Sequence, residues 1–249
     1  KMLKGAMNEL VVSDPWLLST DVGPVIDAAA HKTIADHITQ AEAEGRLIHT
    51  LQSPSTGTFI SPAVIRVNGI ADMTREIFGP VLHIATFKAN DLDKVIDEIN
   101  ATGYGLTFGL HTRIDDRVQT IVEKIEAGNI YVNRDQIGAV VGSQPFGGEG
   151  LSGTGPKAGG PYYLPRFTAP KAAPIAEAWT TDADIAALTK TLKAKSNAMP
   201  NAPTDLPGPT GESNRHSTRA RGPILCMGPS EAATKAQVAA VTALGGTPV

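Results

Sequence analysis

Residues 106–133, LTFGLHTRIDDRVQTIVEKIEAGNIYVN, decide the fold class. LTFGLHT is a β-prone run, DDRVQTIVEKIEAG is a helical segment with acid at its start and glycine at its end, and NIYVN is a second β-prone run. Working outward, residues 92–100 read as a helix with Leu92, Val95, Ile96 and Ile99 inward, ended by Gly103 and Gly105. Further upstream lie β-prone runs at 46–51, 58–67 and 82–87. Before them DAAAHKTIADHITQAEAEG starts on Asp27 as N-cap, turns Ala30, Ile34, Ile38 and Ala41 to one face and stops at Gly45. Strands alternating with helices predict an α/β layer with a largely parallel sheet.

With 249 residues, 41% hydrophobic and 19% charged, the chain has apolar material for one or two cores. A net charge of -3 supplies no electrostatic footprint for nucleic acid, and the short basic cluster at 215–221 reads as a solvated linker end. No nucleic-acid partner is expected through this segment. No long apolar span and no signal peptide stand out, so neither membrane insertion nor export is expected and a cytoplasmic location is the default. A single cysteine, Cys226, rules out an internal disulfide framework and a zinc site of several thiolates. The chain opens inside an amphipathic helix carrying Met2, Leu3, Ala6, Met7 and Leu10, and closes on GGTPV, where a strand is expected to follow a helix. It therefore reads as a piece of a longer polypeptide.

After Val132 the pattern changes. NRDQIGAVVGSQPFGGEGLSGTGPKAGGPYYLPRF is crowded with glycine, and so long a loop in a compact domain is either functional or disordered. Ile137, Val140, Val141, Phe146 and Leu151 argue against plain disorder. A helix over about 182–195 and a Pro, Asn and Gly linker, SNAMPNAPTDLPGPTGESN, follow. RGPILCMGPSEAATKAQVAAVTALGG then reads as strand, turn and helix, the opening of a doubly wound unit whose turn lacks G-x-G-x-x-G. The expected organisation is 1–170, 171–213 and 214–249.

Cys226, set among Ile224, Leu225 and Met227, reads as a buried core residue rather than a nucleophile. The histidines show no metal-ligand spacing, and His31 and His37 are expected at the surface. Glu76 differs. In REIFGPVL (75–82) it adjoins Ile77 and Phe78, and burying a lone carboxylate there would cost several kcal/mol. Two readings fit: a surface acid paired with Arg75 or Lys88, or an acceptor for vicinal ribose hydroxyls.

EIFGPVL resembles the E-x-F-G-P signature of the aldehyde dehydrogenase superfamily, and DPWLLSTDVGPVID, GYGLTFGLHTR, GNIYVNR and QPFGGEGLSGTG are similar to that family's other landmarks, in order. The likeness runs from Lys1 to about Phe167. VGSQPFGGEGLSGTGPKAGGPYYLPRF is most similar to the L-glutamate γ-semialdehyde (pyrroline-5-carboxylate) dehydrogenases. The continuation into a linker and a second α/β unit resembles the longer forms of the bacterial proline utilisation A family.

The resemblance implies a partial aldehyde dehydrogenase catalytic domain with a substrate-anchor loop and an oligomerisation flap, followed by the truncated start of a second doubly wound α/β unit. In that family a cysteine thiolate attacks the aldehyde, hydride passes to NAD, and water releases the acid. It implies that Glu76 binds the nicotinamide-side ribose of NAD and that Phe78 packs against the nicotinamide, two residues apart in an extended segment. Gly138 and Ala139, in the loop 135–141, would anchor the α-carboxylate of L-glutamate γ-semialdehyde through their amides, and Phe146 would line the aldehyde chain or simply pin the loop. A homo-oligomeric parent and a preceding proline dehydrogenase domain with FAD are further implications. The sequence departs from the family in lacking a G-Q-x-C segment, so no catalytic residue is expected here and the segment alone is expected to be inactive. A non-catalytic structural module of the same fold, or an aldehyde dehydrogenase for another substrate, are the alternatives.

Overall fold

The computed structural model describes residues 1–168, 184–192 and 202–249. Among them the order is α1 (Met2–Asn8), α2 (Ala28–Ala43), β1 (Leu47–Thr50), β2 (Ala63–Arg66), β3 (Val81–Ile84), α3 (Leu92–Ala101), β4 (Tyr104–Gly105), β5 (Thr107–Leu110), α4 (Asp115–Lys124), β6 (Asn129–Val132), β7 (Glu149–Gly150), α5 (Ile185–Leu192), β8 (Thr204–Leu206), β9 (Asn214–His216) and α6 (Glu231–Ala243).

The stretch 106–133 folds as read. β5 and β6 pair in parallel, from Thr107 opposite Asn129 to Leu110 opposite Val132, with α4 as the crossover. Two parallel strands need such a connection because a tight turn cannot bring the chain back in the same direction. Ile96 of α3, Ile121 of α4 and Ile125 form the core beneath them, with Leu92, Ile99, Phe108 and Ile130 packed around it. α4 stops at Lys124, before the glycine expected to end it, because Ile125 adopts an extended conformation and drops its side chain into that core. Asp115 and Asp116 occupy the first helical turn rather than the cap position, where their charge still favours the helix N-terminus.

The strands do not form one largely parallel sheet. β1 pairs antiparallel with β2, β2 parallel with β3, and β4 with β7 and β8 with β9 antiparallel, in separate small sheets. Alternation of strands and helices reveals the crossovers but not which strand edges meet. β2 is the inner strand of the three-stranded sheet, and Ala63, Val64 and Ile65 are all buried, as a strand covered on both faces requires. The connection from β2 to β3 contains no α-helix. It consists of a 3-10 turn at Ile70–Asp72 and the REIFGP segment.

α2 begins with the Asp27 carboxylate accepting from the Ala30 amide at 2.7 Å, a cap worth about 1 kcal/mol, and is followed by Gly45 at φ +68°. Its buried Ile34 and Ala41 match the expected inward face. His37 is not a free surface residue: its Nε2 lies 2.8 Å from Nε2 of His83 on β3, with one ring donating and the other accepting. α2 had to turn this face to β3 because Ile34, one helical turn earlier, is fully buried there.

Burial, then Arg46 and Arg75, hold His37 below the ordinary imidazole range, with Glu44 opposing, and burial, then His37 and Arg46, do the same for His83. The unfolded chain thus binds more protons than the native one just below the free-imidazole value of 6.5. The stability from the neutral pair is complete above that value and is lost as the pH falls through it toward the native pKa values. Melting curves should show a drop in Tm between neutral pH and about pH 5 that shrinks in His37→Gln. An unchanged drop in the variant would remove the pair from the acid transition.

In the C-terminal region the linker read over 196–214 contains, in its described part, the β8–β9 hairpin. Its strands have three residues each and no apolar alternation, so sequence pattern had nothing to register. The helix read over 182–195 is observed at Ile185–Leu192, and its expected flanks lie outside the described residues. α6 starts on a Ser230 cap, and in place of a regular strand after it an isolated parallel bridge joins Ile224 to Pro248, with Ile224 and Cys226 donating to Thr247 and Val249 at 2.9 and 2.8 Å. Cys226 is buried beside this bridge, with its thiol toward the Ile224 carbonyl.

Candidate cofactor and substrate site

Glu76 and Phe78 lie in the β2–β3 crossover, immediately before β3. The backbone is not a straight extended run: Gly79 donates to Ile77 O at 2.9 Å and Val81 to Gly79 O at 2.8 Å, two successive three-residue turns centred on Phe78 and Pro80. A Cβ on Gly79 would stand 2.5 Å from Ile34 Cδ1, so the turn is seated directly against α2. A larger residue there would have to push the Ile34 side chain aside. Neither Arg75 nor Lys88 pairs with Glu76; its carboxylate is exposed and makes no hydrogen bond or ion pair among the described residues. The Phe78 ring is 82% exposed, an unusual position for a large apolar side chain. An unpaired acid beside a bare aromatic ring is chemically suited to a ribose and its attached flat heterocycle.

The glycine-rich stretch after β6 is an ordered loop rather than a wandering connection. Asn133, at φ 57°, turns the chain and accepts from the Thr112 amide at 2.9 Å. Gln144 closes the next turn by donating to Val140 O at 2.7 Å, Gly142 donates to Gly159 O at 3.0 Å, and the Tyr131 hydroxyl donates to Gly138 O at 3.0 Å. Gly138 has φ +86°, a conformation that favours glycine. Gly138 and Ala139 are exposed, and among the described residues neither amide donates a hydrogen bond within the chain. Phe146 is half-buried, and its backbone exchanges hydrogen bonds with Ala158 at 3.0 and 2.8 Å, which ties this part of the loop to the segment around Lys157.

Four residues that sequence reasoning did not single out organise this region: Glu212, Arg134, Lys157 and Asn129. Glu212, in the β8–β9 connection, accepts from Arg134 at 2.6 Å and from the Gln144 side chain, residues that flank the loop on either side. Arg134 also lies over the Tyr131 ring at 5.4 Å, and its Nε is buried without a hydrogen-bond partner. Lys157 and Asn129 tie the loop to the start of β6. Between these parts and the hairpin lies a cleft of about 670 Å³. The only clue in the sequence was a lone lysine in GPKAGG and a lone glutamate in PTGES, and neither sits in a periodic pattern. Burial lowers the Lys157 pKa against the opposing pull of Glu149, and burial with the charge of Lys157 lowers that of His216. Among the described residues no helix is long and apolar enough to cross a membrane, and no three His, Cys, Asp or Glu side chains gather as a metal site.

Comparison with known proteins places this geometry. The model of the aldehyde dehydrogenase family matches residues 1–173. The bifunctional protein PutA of Rhizobium meliloti is 43% identical over 258 residues, which covers 96% of this chain and 21% of that protein. A mutant of Bradyrhizobium japonicum Proline Utilization A superposes with a TM-score of 0.64 at 49% identity, over 67% of this chain and 17% of that one. A 1-pyrroline-5-carboxylate dehydrogenase from Thermus, solved with bound NAD, superposes with a TM-score of 0.56 at 34% identity, over 63% of this chain and 30% of that one. The chain thus spans about a fifth of the length of curated relatives such as PutA. With the family's landmarks in order along the sequence and its fold reproduced around them, the chain belongs to the aldehyde dehydrogenase family.

Proposed function

We propose that this segment is the C-terminal part of the catalytic domain of an NAD-dependent L-glutamate γ-semialdehyde dehydrogenase, carried in a longer proline-catabolic enzyme of the cytoplasm. The observation that supports the substrate most directly is the pair of unspent amides at Gly138 and Ala139, held toward solvent in a loop fixed by Tyr131. Adjacent N–H groups in a turn form an anion-binding concavity, and an α-carboxylate is the anion that distinguishes this aldehyde from plain aliphatic ones. Phe146, one short turn along, lines the chain between carboxylate and aldehyde.

Glu76 grips the ribose hydroxyls and Phe78 covers the nicotinamide. NAD, when bound, supplies the two-electron acceptor for oxidation of the aldehyde carbon. The sequence's single cysteine, Cys226, is buried in the C-terminal unit outside the family match, so the thiolate nucleophile comes from another part of the longer chain. Self-association of that chain, and a preceding proline dehydrogenase domain with FAD, belong to the same proposal; no residue of this segment is assigned to the flavin.

The test compares the isolated segment with the longer chain, following NADH formation from NAD and the semialdehyde. The longer chain is expected to turn over and the segment is not. Turnover by the segment alone would show that its own residues suffice for the chemistry. If the longer chain oxidises aliphatic aldehydes without a carboxylate as efficiently as the semialdehyde, the substrate assignment fails.

A further inference from the structure

Lys157 spends all of its hydrogen-bonding capacity on backbone and amide oxygens. Its Nζ donates to Gly147 O at 2.8 Å, to Asn129 Oδ1 at 3.1 Å and to Gly128 O. An ammonium has three donors and no acceptor, so nothing remains for a ligand. Among the described residues no carboxylate lies within ion-pair distance of it. A half-buried lysine that makes no ion-pair contact among the described residues, with only the more distant charge of Glu149 to offset its desolvation, is an expensive residue to keep for packing alone.

What the ammonium holds is specific. Asn129 relays the contact, donating from Nδ2 to Pro145 O at 2.9 Å while its Oδ1 accepts from the Gly147 amide at 3.1 Å. Pro145 and Gly147 are the two neighbours of Phe146. On the other side, Ala158, next to Lys157, exchanges two backbone hydrogen bonds with Phe146 itself. The parts are pressed close: a Cβ on Gly128 would stand 1.9 Å from Gly147 O, and one on Gly147 would stand 3.1 Å from the Lys157 Cα. Removing the ammonium leaves the Gly128 and Gly147 carbonyl oxygens in this crowded place without that donor, while Asn129 Oδ1 keeps only the Gly147 amide.

We propose that Lys157 is a positioning residue for the substrate: by clamping the peptide on both sides of Phe146 it fixes the ring that lines the aldehyde chain, and so sets the KM for the semialdehyde. The proposal rests on the substrate role of Phe146 given above. Lys157 touches no reacting atom and acts only through the loop.

The experiment uses the longer chain with Lys157→Met, which keeps length and loses every donor, and Lys157→Gln, which restores two. For Lys157→Met the KM for the semialdehyde should rise about tenfold, with kcat reduced by less than about threefold and the KM for NAD within about twofold of wild type. Lys157→Gln should recover part of the loss. Hydrogen exchange in peptides covering 145–148 should accelerate in Lys157→Met, while peptides covering α4 stay unchanged. If Lys157→Met does not fold, Asn129→Asp, which keeps the acceptor for Lys157 and loses the donor to Pro145, should move the same KM in the same direction.

A semialdehyde KM within about twofold of wild type, or unaltered exchange at 145–148, overturns the proposal. A parallel loss in kcat and in both KM values overturns it as well, since that is the mark of general unfolding. Failure of the functional reading is separate: it appears in the wild-type control as an absence of semialdehyde turnover, before any variant is compared, and the exchange measurement still reads the clamp.

Discussion

Glu76→Gln in the longer chain should lower kcat/KM for NAD by about a hundredfold while leaving the fold intact. Two ribose hydroxyls donating to a carboxylate are charge-assisted contacts, each worth about 1.5–3 kcal/mol, and the amide keeps one weaker acceptor. A net loss near 2.7 kcal/mol corresponds to that factor. The variant is informative because Glu76 is exposed and makes no hydrogen bond or ion pair among the described residues, so no such native interaction is lost with the charge. Stability should stay within about 0.5 kcal/mol, as for other surface exchanges. Steady-state kinetics at saturating semialdehyde, with NAD binding measured separately, check both halves. A change below about threefold in NAD efficiency would return Glu76 to the status of an ordinary surface acid.

The second large effect is expected at Gly138, where two substitutions separate conformation from chemistry. Proline fixes φ near -65° and removes the N–H, whereas Gly138 stands at φ +86°. Gly138→Pro should therefore raise the semialdehyde KM by about a hundredfold or more, through loss of one amide and distortion of the next. Gly138→Ala keeps the amide, and its Cβ meets nothing within 4 Å, so it carries only the left-handed backbone cost of about 1–2 kcal/mol. Its KM should rise several-fold at most. The KM for NAD should hold in both variants. If NAD affinity changes and the semialdehyde KM does not, the carboxylate is bound elsewhere.

The elements with a repeating signal were legible in the sequence. The helix after Asp27, the inward row Leu92, Ile96 and Ile99, and the strand–helix–strand of 106–133 all carry period and punctuation that physics converts directly into structure. The burial of Cys226 was legible from its apolar setting, although its neighbours Ile224, Leu225 and Met227 are themselves exposed. Pairing was not legible. That β2 would run between an antiparallel and a parallel neighbour depends on which edges meet between residues as far apart as Thr50 and Ala63 or Ala63 and Val81, and local pattern is silent on that.

The candidate site divides in the same way. Gly79, Gly138 and Phe146 stood out by residue type at motif positions. Lys157, Asn129 and Glu212 act through contacts spanning 28, 16 and 78 residues, and a single polar side chain in an aperiodic stretch announces none of them. His37 was misplaced because helical spacing gave its face relative to His31 but not the presence of a second imidazole on β3.

The Glu212 clasp has a consequence for how such a chain can grow. It joins Arg134 and Gln144 to a hairpin 78 and 68 positions further on. Doubling the length of a connection adds only about 0.6 kcal/mol of closure entropy. Whole modules can therefore be gained or shed between the β5–β6 layer and the hairpin at almost no thermodynamic penalty, provided that one carboxylate still returns to the same arginine.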